Sequence, residues 1–234
     1  MFKNQKWLNF KYYHSENIPC NFAKSEKMIE ILKAGTLIKD DKSTRITYAF
    51  RPYFENPVII KKFKFKGWLH SIIRSLNKPR SEIFWEGSQL ISALGINTPK
   101  ALGIVKIKTG PLTTESYVIT EFYTGQNAKQ LIDHPERFSQ KIITEFVDKV
   151  IEILATLFKN NITHGDTKVP NFMIKDQDVC IIDLDVVRIH KSPKKLKKHI
   201  QKDIERFERD WENHPYKEAV LSKTKILRKS FLDK

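Results

Sequence analysis

The sequence predicts an α+β protein of two parts, in which a β-rich N-terminal part is followed by an α-rich C-terminal part. Two observations predict this order. Before residue 121, β-branched and aromatic residues cluster in short runs between turn residues, as they do in strands. After Gly125, apolar residues recur at helical spacing. We place the two parts at residues 1–120 and 121–234, and we expect two lobes of such unlike class to leave a cleft between them.

The elements of the N-terminal part are bounded by turn residues. Residues 25–34 are predicted to form a short helix that ends at Gly35, because glycine commonly terminates helices. A second helix is predicted to end at Gly95 in the same way. The predicted ranges are 81–94 for this helix and 43–50, 57–65, 101–108 and 115–122 for strands, with a turn at 109–111.

The C-terminal part begins with a long amphipathic helix. Its apolar side chains recur at helical spacing: Phe138, Ile142, Phe146, Val150, Leu154 and Leu157. A loop at 161–171 then leads to two short apolar strands, 172–174 and 179–182. The chain ends in helix, for which Ser192 is the predicted N-cap and Pro193 suits the first turn. The predicted apolar stripe of this helix is Leu196, Ile200, Ile204, Phe207 and Trp211.

Basic residues are in excess and are clustered. The chain has 42 Lys and Arg against 27 Asp and Glu, a formal net charge of +15. Residues 61–81 contain seven basic residues and no acidic one, and residues 191–202 contain six lysines and no acidic residue. Such a surface attracts anionic partners, although a basic face that only improves solubility is the plainer interpretation. We expect no nucleic-acid partner, because no aromatic residue interrupts the 191–202 run.

The sequence also predicts a cytoplasmic protein, peripheral to a membrane at most. No apolar run approaches the roughly 18–20 residues of a membrane span, and the N-terminus has no signal-peptide pattern. Cys20 and Cys180 form no disulfide framework, and Cys180 is predicted to be a buried free thiol in an apolar run. This cysteine usage indicates a reducing compartment. A monomer is expected.

The strongest motif is the segment from His164 to Asn171, which is followed by a short predicted hairpin and Asp183. In protein kinases, an Asp accepts the proton of the attacking hydroxyl, an Asn five residues later binds a metal ion, and a later Asp binds it too. Asp166, Asn171 and Asp183 have this order, and their oxygen donors suit magnesium. Lys168 is placed to reach the transferred phosphate. A polar loop with Asp166 capping a turn is the structural alternative, which the number of matched features disfavours.

One lysine and one glutamate each stand alone on an apolar face. Lys61 shares its predicted strand face with Ile59, Phe63 and Phe65. Glu86 shares its predicted helix stripe with Ile83, Leu90 and Leu94. A strand lysine paired with a helix glutamate beside the ATP phosphates is the protein-kinase arrangement. Lys62 and Glu82 are the alternative assignments. In the interpretation that gives the pair no function, Lys61 extends its charged end to the surface and Glu86 lies at the edge of the apolar stripe.

Residues 117–125 are predicted to be a strand that runs into the connection between the two parts. The backbone groups of Glu121 and Tyr123 are candidates to hydrogen-bond an adenine there. Any strand followed by a turn shows the same pattern, so this prediction depends on the others.

Several segments resemble bacterial lipopolysaccharide core kinases, which phosphorylate Kdo and heptose. The matching segments are 59–70, Arg80 with Trp85-Glu86, 94–99, Ile182 to Asp185, and Arg209-Asp210-Trp211, so that the resemblance runs from about residue 45 to 215. It implies a bilobal protein-kinase-like fold, ATP and Mg²⁺, and phosphorylation of an inner-core sugar at the cytoplasmic membrane face. The implied partners are the lipopolysaccharide inner core or a lipid A precursor and an anionic membrane surface.

The chain also departs from protein kinases. Protein kinases cover the ATP phosphates with a glycine-rich loop, but residues 40–57, where this loop would lie, contain no glycine. Gly165 stands where protein kinases carry arginine, and no Ala-Pro-Glu segment follows Asp185. The last two departures favour a sugar or small-molecule kinase. The alternatives are an aminoglycoside-type or protein kinase, a pseudokinase scaffold, and a glycosyltransferase that uses Asp183-Leu184-Asp185 as a metal motif.

Overall fold

The computed structural model describes residues 3–7, 10–14, 25–52, 54–64, 78–109 and 112–233. The chain forms two compact units, of which the first contains Met1–Gln89 and Pro99–Tyr123 and the second contains Leu90–Thr98 and Thr124–Lys234. The first unit is mainly sheet and the second mainly helix, which confirms the predicted α+β class. Residues 65–77 lie outside the described residues, and with them most of the basic run 61–81 and the second half of the segment 59–70 of the resemblance.

The first unit is built on a seven-stranded antiparallel sheet. Its strands are β1 (Lys3–Trp7), β2 (Phe10–His14), β3 (Thr36–Asp40), β4 (Thr44–Ala49), β5 (Val58–Phe63), β6 (Ala101–Thr109) and β7 (Leu112–Glu121). They are ordered β1-β2-β6-β7-β5-β4-β3. Two helices accompany the sheet, α1 (Ser25–Ala34) and α2 (Arg80–Ala93), and the last residues of α2 belong to the second unit.

Both faces of the central strands are buried. On one face, Ile31 of α1 lies in a core cluster with Ile60 of β5 and Tyr117 and Ile119 of β7. Because successive strand residues point to opposite faces, Lys61 lies on the other face of β5 with Phe63. Strands buried on both sides have nearly continuous apolar runs. This explains why β5 and β7 were recognisable in the sequence, whereas the wholly exposed β3 was not predicted.

The second unit consists mainly of helices. They are α3 (Lys129–Asp133), α4 (Gln140–Lys159), α5 (Pro193–Arg209) and α6 (Lys217–Phe231). Its short strands are β8 (Gln126–Asn127), β9 (Ile162–Thr163), β10 (Phe172–Lys175), β11 (Asp178–Ile181) and β12 (Arg188–Ile189). They form a three-stranded sheet of order β11-β10-β8 and a two-stranded sheet of β12 and β9. Single turns of 3₁₀ helix lie at Pro135–Arg137 and Val169–Asn171.

Serine N-caps set the start of the two long helices of this unit. The Ser139 hydroxyl accepts the backbone N–H of Ile142, so that α4 begins after Phe138. Ser192 caps α5 by accepting the N–H of Lys195, with Pro193 at the first helical position, as predicted. A cap of this kind satisfies a backbone donor that the helix itself leaves unpaired, and contributes about 1 kcal/mol.

An aromatic cluster forms the core of the second unit. The ring centroid of Phe172 in β10 lies 6.1 Å from that of Phe146 in α4 and 6.2 Å from that of Phe207 in α5. Trp211 packs 6.0 Å from Phe207, and all four side chains are buried. These rings hold α4, α5 and β10 together. The loop that precedes β10 therefore starts and ends on well-packed elements. Cys180, in β11, is a buried free thiol, as predicted.

Among the described residues, no helix is long and apolar enough to cross a membrane.

Candidate active site

The predicted catalytic loop lies between two strands of the second unit. Residues 164–168 follow β9, and the 3₁₀ turn Val169–Asn171 leads directly into β10. Within the turn, the Asn171 N–H donates to the Lys168 carbonyl at 2.9 Å. The structure thus brings Asp166, Lys168 and Asn171 together in one short segment that is fixed at both ends.

The Asp166 carboxylate is held by neighbours on three sides. Asn171 Nδ2 donates to Asp166 Oδ2 at 2.8 Å and to the Asp166 carbonyl at 2.7 Å. Lys168 Nζ lies 3.0 Å from Oδ2, and Arg206 Nε lies 3.6 Å from Oδ1. The Asp166 side chain is still 25% exposed. It is therefore an oriented carboxylate that a small acceptor can reach, which is what a general base requires.

Asn171 and Asp183 each carry a side-chain oxygen atom that can bind a metal ion. The two protons of Asn171 Nδ2 point to Asp166, which leaves Oδ1 as the amide's remaining acceptor. The Ile182 N–H donates to the Asn171 carbonyl at 2.9 Å, and this bond places Asp183 beside Asn171. An amide oxygen and a carboxylate fit Mg²⁺, which takes one or two protein ligands and completes its shell with water and phosphate oxygens.

Asp183 has an uncommon backbone conformation. Its φ is 65°, in the left-handed region that few residues other than glycine adopt. Residues held in this region cost of order 1–3 kcal/mol and occur preferentially at functional sites. The chain turns sharply at the end of β11 and brings the Asp183 carboxylate next to the catalytic loop, since Asp183 is one of the charges that act on His164.

His164 connects the catalytic loop to the segment before Asp183. Its Nδ1 accepts the Asp166 N–H at 3.2 Å, so the remaining ring N–H, on Nε2, donates to the Ile182 carbonyl at 3.0 Å. The side chain is fully buried, and burial lowers the pKa of His164. A neutral ring with one donor and one acceptor is what this pair of bonds needs. His164 thereby fixes the spacing between Asp166 and Asp183.

Asp203 of α5, which the sequence analysis missed, anchors the backbone of the loop. Its carboxylate accepts the N–H of His164 at 2.8 Å and that of Gly165 at 2.9 Å. The Thr167 hydroxyl donates to the Asp203 carbonyl. Burial raises the pKa of Asp203 to about 7, even though both backbone hydrogen bonds oppose this shift. One signal was available, because Asp203 is a single acid on the apolar stripe of α5.

Gly165 stands where protein kinases carry an arginine, and the structure places another arginine, Arg206, beside the loop. Gly165 has a φ of 83°, and a Cβ built on it would lie 2.8 Å from the Val186 carbonyl oxygen. No side chain fits there. The guanidinium beside the Asp166 carboxylate comes instead from Arg206 of α5, which also donates to the Gly165 carbonyl. Asp210, just after α5, accepts the Val169 N–H at 2.6 Å. No motif or spacing in the sequence indicated a role for Arg206.

The prediction that Glu86 lies on the buried face of its helix was wrong, because Glu86 is exposed. Lys61 is 7% exposed in the sheet of the first unit, with its Nζ 5.2 Å from the Phe63 ring centroid. Glu86 is 57% exposed at its side chain and pairs with Lys78. The alternatives do not pair with each other either, because Glu82 pairs with the buried Lys106 and Lys62 pairs with Glu115 at 2.9 Å.

The error came from the assignment of the buried face of α2. The residues of α2 that are buried are Ser81, Phe84, Gly87, Ser88 and Ile91. The Ser88 hydroxyl accepts the Ala101 N–H at 3.0 Å, which lets a polar residue occupy a buried position. Two serines on the buried face removed the apolar periodicity on which the prediction depended. The exposed position of Glu86 and its pairing with Lys78 do not support a role in cofactor binding.

The candidate adenine contacts lie at the end of β7. The Glu121 N–H donates to the Lys100 carbonyl at 3.0 Å, and the Phe122 N–H donates to the Pro57 carbonyl at 3.2 Å. A contact between Glu121 and an adenine would therefore use its carbonyl oxygen. Tyr123 is the last residue of the first unit.

A family comparison covers the catalytic loop. Residues 97–204 match the family model of the protein kinase domain. The probable serine/threonine-protein kinase YbdM of Bacillus subtilis (strain 168) is 25% identical over 75 residues, which are 32% of this chain and 29% of that protein. A probable serine/threonine-protein kinase of Dictyostelium discoideum is 29% identical over 82 residues, 35% of this chain and 12% of that protein. The chain thus spans less than a third of the length of either relative.

A solved structure shows the fold. WaaP, in a complex with acyl carrier protein, matches with a TM-score of 0.53 and 14% sequence identity, over 88% of this chain and 92% of that one. The fold is protein-kinase-like. The family model that matches residues 97–204 and the two curated relatives are also of protein kinases. Within this protein-kinase-like fold, Asp166, Lys168, Asn171 and Asp183 all belong to the second unit, and Lys61 belongs to the first.

Proposed function

We propose that this protein-kinase-like chain transfers the γ-phosphoryl group of ATP to a sugar hydroxyl, most specifically of Kdo or heptose in the lipopolysaccharide inner core. The observation that carries the proposal is the bonding around Asp166. Its carboxylate is oriented by Asn171, and Asn171 is joined through Ile182 to Asp183. The proposed base is thereby hydrogen-bonded to one proposed metal ligand, Asn171, which is also hydrogen-bonded to the residue before the other, Asp183.

Asp166 is the proposed general base. Its carboxylate accepts the proton of the acceptor hydroxyl while the hydroxyl oxygen bonds to the γ-phosphorus and the bond to ADP breaks. Asn171 holds Oδ2, and Arg206 lies nearest to Oδ1. Lys168, 3.0 Å from the base and 44% exposed at its side chain, is free to rotate toward the transferred phosphoryl group. A cation there stabilises the charge on the phosphoryl oxygens.

The nucleotide is proposed to bind as Mg·ATP. Asn171 Oδ1 and the Asp183 carboxylate would hold Mg²⁺, whose charge offsets that of the phosphates when it is bound. Lys61, a buried residue of β5, is the proposed phosphate ligand, since a strand lysine beside the ATP phosphates is the protein-kinase arrangement. The Glu121 carbonyl and the Tyr123 backbone are the proposed adenine contacts.

The Lys61 assignment has a matched control in the neighbouring residue. We expect Lys61→Met to raise the KM for ATP at least tenfold, since the loss of a charge-assisted bond to phosphate costs about 1.5–3 kcal/mol. Lys62→Met removes the same charge from the opposite face of β5, where Lys62 pairs with Glu115, and should leave the KM for ATP nearly unchanged. Equal effects of the two variants would contradict the assignment of Lys61.

The acceptor proposal draws on the loop and on the resemblance to lipopolysaccharide core kinases. A glycine at position 165 and a direct passage from Asp185 through β12 into α5 suit an enzyme without a phosphorylated activation segment. The basic surface suits an acceptor with acidic groups at an anionic membrane. A cytoplasmic enzyme that works as a monomer at the inner face of the membrane is part of this proposal.

A second candidate is a serine/threonine-protein kinase, which the names of both curated relatives favour. The test is a transfer assay with γ-labelled ATP in which rough-core lipopolysaccharides, free Kdo and heptose acceptors, aminoglycosides and a panel of unstructured proteins compete. Label in a core sugar supports the proposal, and label only in Ser or Thr of the proteins supports the second candidate. No transfer to any acceptor, together with no ATP binding, would indicate a scaffold without activity.

A further inference from the structure

A row of basic side chains runs along one flank of α5 to the candidate base. Lys195, His199, Lys202 and Arg206 are spaced by four, three and four positions, so they share one side of the helix. The distance from the first to the last is about 16 Å at the α-helical rise of about 1.5 Å per residue. Arg206 ends the row beside Asp166, with its Nε 3.6 Å from Oδ1.

The segment after Asp185 adds two more basic groups to this flank. β12 pairs with β9, so that Arg188 lies opposite Thr163, the residue that precedes the catalytic loop. Arg188 Nη1 lies 3.1 Å from His199 Nδ1, and the centroid of the His190 ring lies 4.9 Å from that of His199. His190 also hydrogen-bonds to the Thr163 hydroxyl at 2.7 Å. We call these six residues the basic face: Arg188, His190, Lys195, His199, Lys202 and Arg206.

The electrostatics of the two histidines agree with a positive potential at the basic face. Burial, followed by the charges of Arg188 and Lys195, lowers the pKa of His190. Burial also lowers the pKa of His199, and the charged groups that add to this effect are all basic: Arg188, His190, Lys202 and Lys198. Cations gathered this closely repel each other, and an anionic ligand would relieve that repulsion.

We propose that the basic face is the binding track for an acidic oligosaccharide acceptor, whose reactive hydroxyl lies at Asp166 and whose acidic groups lie along Arg188, His199, Lys202 and Lys195. This inference rests on the proposed sugar-kinase function and specifies how its acceptor is recognised. The track is one helix flank wide and ends at the candidate base. A linear polyanion that presents one terminal hydroxyl fits this shape, whereas a membrane surface would not need the row of charges to end there.

The other lysines near the start of α5 do not belong to the track. Lys197 lies on the other side of the helix, where its Nζ donates to the Leu232 carbonyl at the end of α6. The lysines of the basic run 191–202 therefore lie on different sides of α5. Only some of them belong to the row that ends beside Asp166. This division makes the proposal testable against a general effect of net charge.

The experiment compares two double variants with equal loss of charge. Lys195→Gln with Lys202→Gln removes two exposed cations of the basic face, and Lys225→Gln with Lys229→Gln removes two exposed cations from α6. With an acidic core oligosaccharide as acceptor, we expect the first pair to raise its KM about tenfold, with kcat changed less than about twofold, because exposed charges act mainly on encounter and binding. The second pair should change neither. KM for ATP should stay constant in both.

Two further acceptors identify the groups that are recognised. An oligosaccharide treated with phosphatase retains only its carboxylates; if the KM effect persists with it, the carboxylates bind the track, and if the effect disappears, the phosphates do. A neutral sugar acceptor should show no effect of either double variant. In all cases the effect should shrink at high salt, since the Debye length falls to about 3 Å at 1 M.

Direct binding separates this inference from the proposed function. The probe is a fluorescently labelled acidic core oligosaccharide, titrated by anisotropy without ATP. Weaker binding by the Lys195 and Lys202 variant alone, in a protein that phosphorylates no sugar, would keep the track and refute the sugar-kinase proposal. Equal effects of the two double variants, or unchanged binding in a protein that does phosphorylate the sugar, would overturn the track. Loss of binding to anionic vesicles alone, with oligosaccharide binding intact, would also overturn it.

Discussion

Asp166 owes its orientation to side chains that come from three places in the chain. Asn171 lies in the same turn, His164 accepts the Asp166 N–H from two residues before, and Arg206 approaches from α5. The loop is thus fixed by its own backbone and by a distant helix. At the scale of single residues, the site can be tested by changes that alter chemistry without altering volume.

Asp166→Asn should lower kcat by about 10²–10⁴-fold, the range that a positioned general base contributes. The affinity for ATP should change little, because the base acts on the acceptor hydroxyl. The assay is steady-state phosphoryl transfer, with Asp178→Asn, an exposed change at the hairpin of β10 and β11, as the matched control. A kcat near that of the wild type would remove Asp166 from the proposed role.

Gly165 permits a second test at this scale, with Gly95 as its control. Both glycines have a positive φ, 83° and 75°, so alanine is strained at either position. At Gly95 a Cβ would meet no atom within 4 Å, whereas at Gly165 it would lie 2.8 Å from the Val186 carbonyl oxygen. We expect Gly165→Ala to lower the free energy of unfolding by about 1–3 kcal/mol more than Gly95→Ala does. Chemical denaturation measures the difference, and equal losses would show that the Val186 backbone yields.

At the scale of elements, the helices show what sequence periodicity can and cannot reveal. The stripe of α5 was predictable because Ile200, Ile204 and Phe207 are apolar and buried. The buried face of α2 contains two serines and a glycine, so the apolar pattern indicated the wrong face of the helix. Tertiary hydrogen bonds, such as that from Ala101 to Ser88, are invisible to a periodicity argument.

The contribution of Asp203, which joins α5 to the catalytic loop, to the free energy of unfolding should depend on pH. Burial raises the pKa of Asp203 to about 7, against about 3.9 in an unfolded chain. Between these pH values the folded protein holds a proton that the unfolded chain has released. The contribution of Asp203 to stability is therefore greatest below about pH 4 and decreases as the pH rises to 7. The decrease is on the order of 4 kcal/mol.

Urea unfolding of the wild type and of Asp203→Asn at pH 5 and pH 8 measures the pH-dependent contribution of Asp203 to stability. The amide does not titrate, and it replaces one acceptor oxygen of the loop, so the variant should be less stable at both pH values. Its deficit relative to the wild type should be larger at pH 5 than at pH 8. Equal deficits at the two pH values would show that Asp203 has the same charge in the folded and unfolded states.

At the scale of the whole molecule, local sequence patterns indicated the residues proposed for catalysis but missed the residues that support their loop. The strands β4 to β7, the hairpin of β10 and β11 and the proposed site residues Asp166, Asn171 and Asp183 follow from short motifs and apolar runs, whereas β1, β2 and β3 were not predicted. Asp203 and Arg206 approach the loop from about 40 positions further along the chain. No spacing rule connects segments so far apart, and only the packing of α5 against β9 brings them together.

The last prediction concerns nucleotide binding and global stability. A ligand that binds only the folded protein stabilises it by RT ln(1 + [L]/Kd), about 2.7 kcal/mol at a hundredfold excess over Kd. If Asn171 and Asp183 hold Mg²⁺ between themselves and the phosphates, ATP with Mg²⁺ should raise Tm by several degrees. ATP with EDTA should raise it much less.

Asp183→Asn keeps the shape of the side chain but loses its negative charge, so it should lower the Tm gain from Mg·ATP without removing the small gain from ATP alone. Asp176→Asn, at the exposed turn of the hairpin, is the control. Equal Tm gains in the two variants would place the metal elsewhere in the molecule.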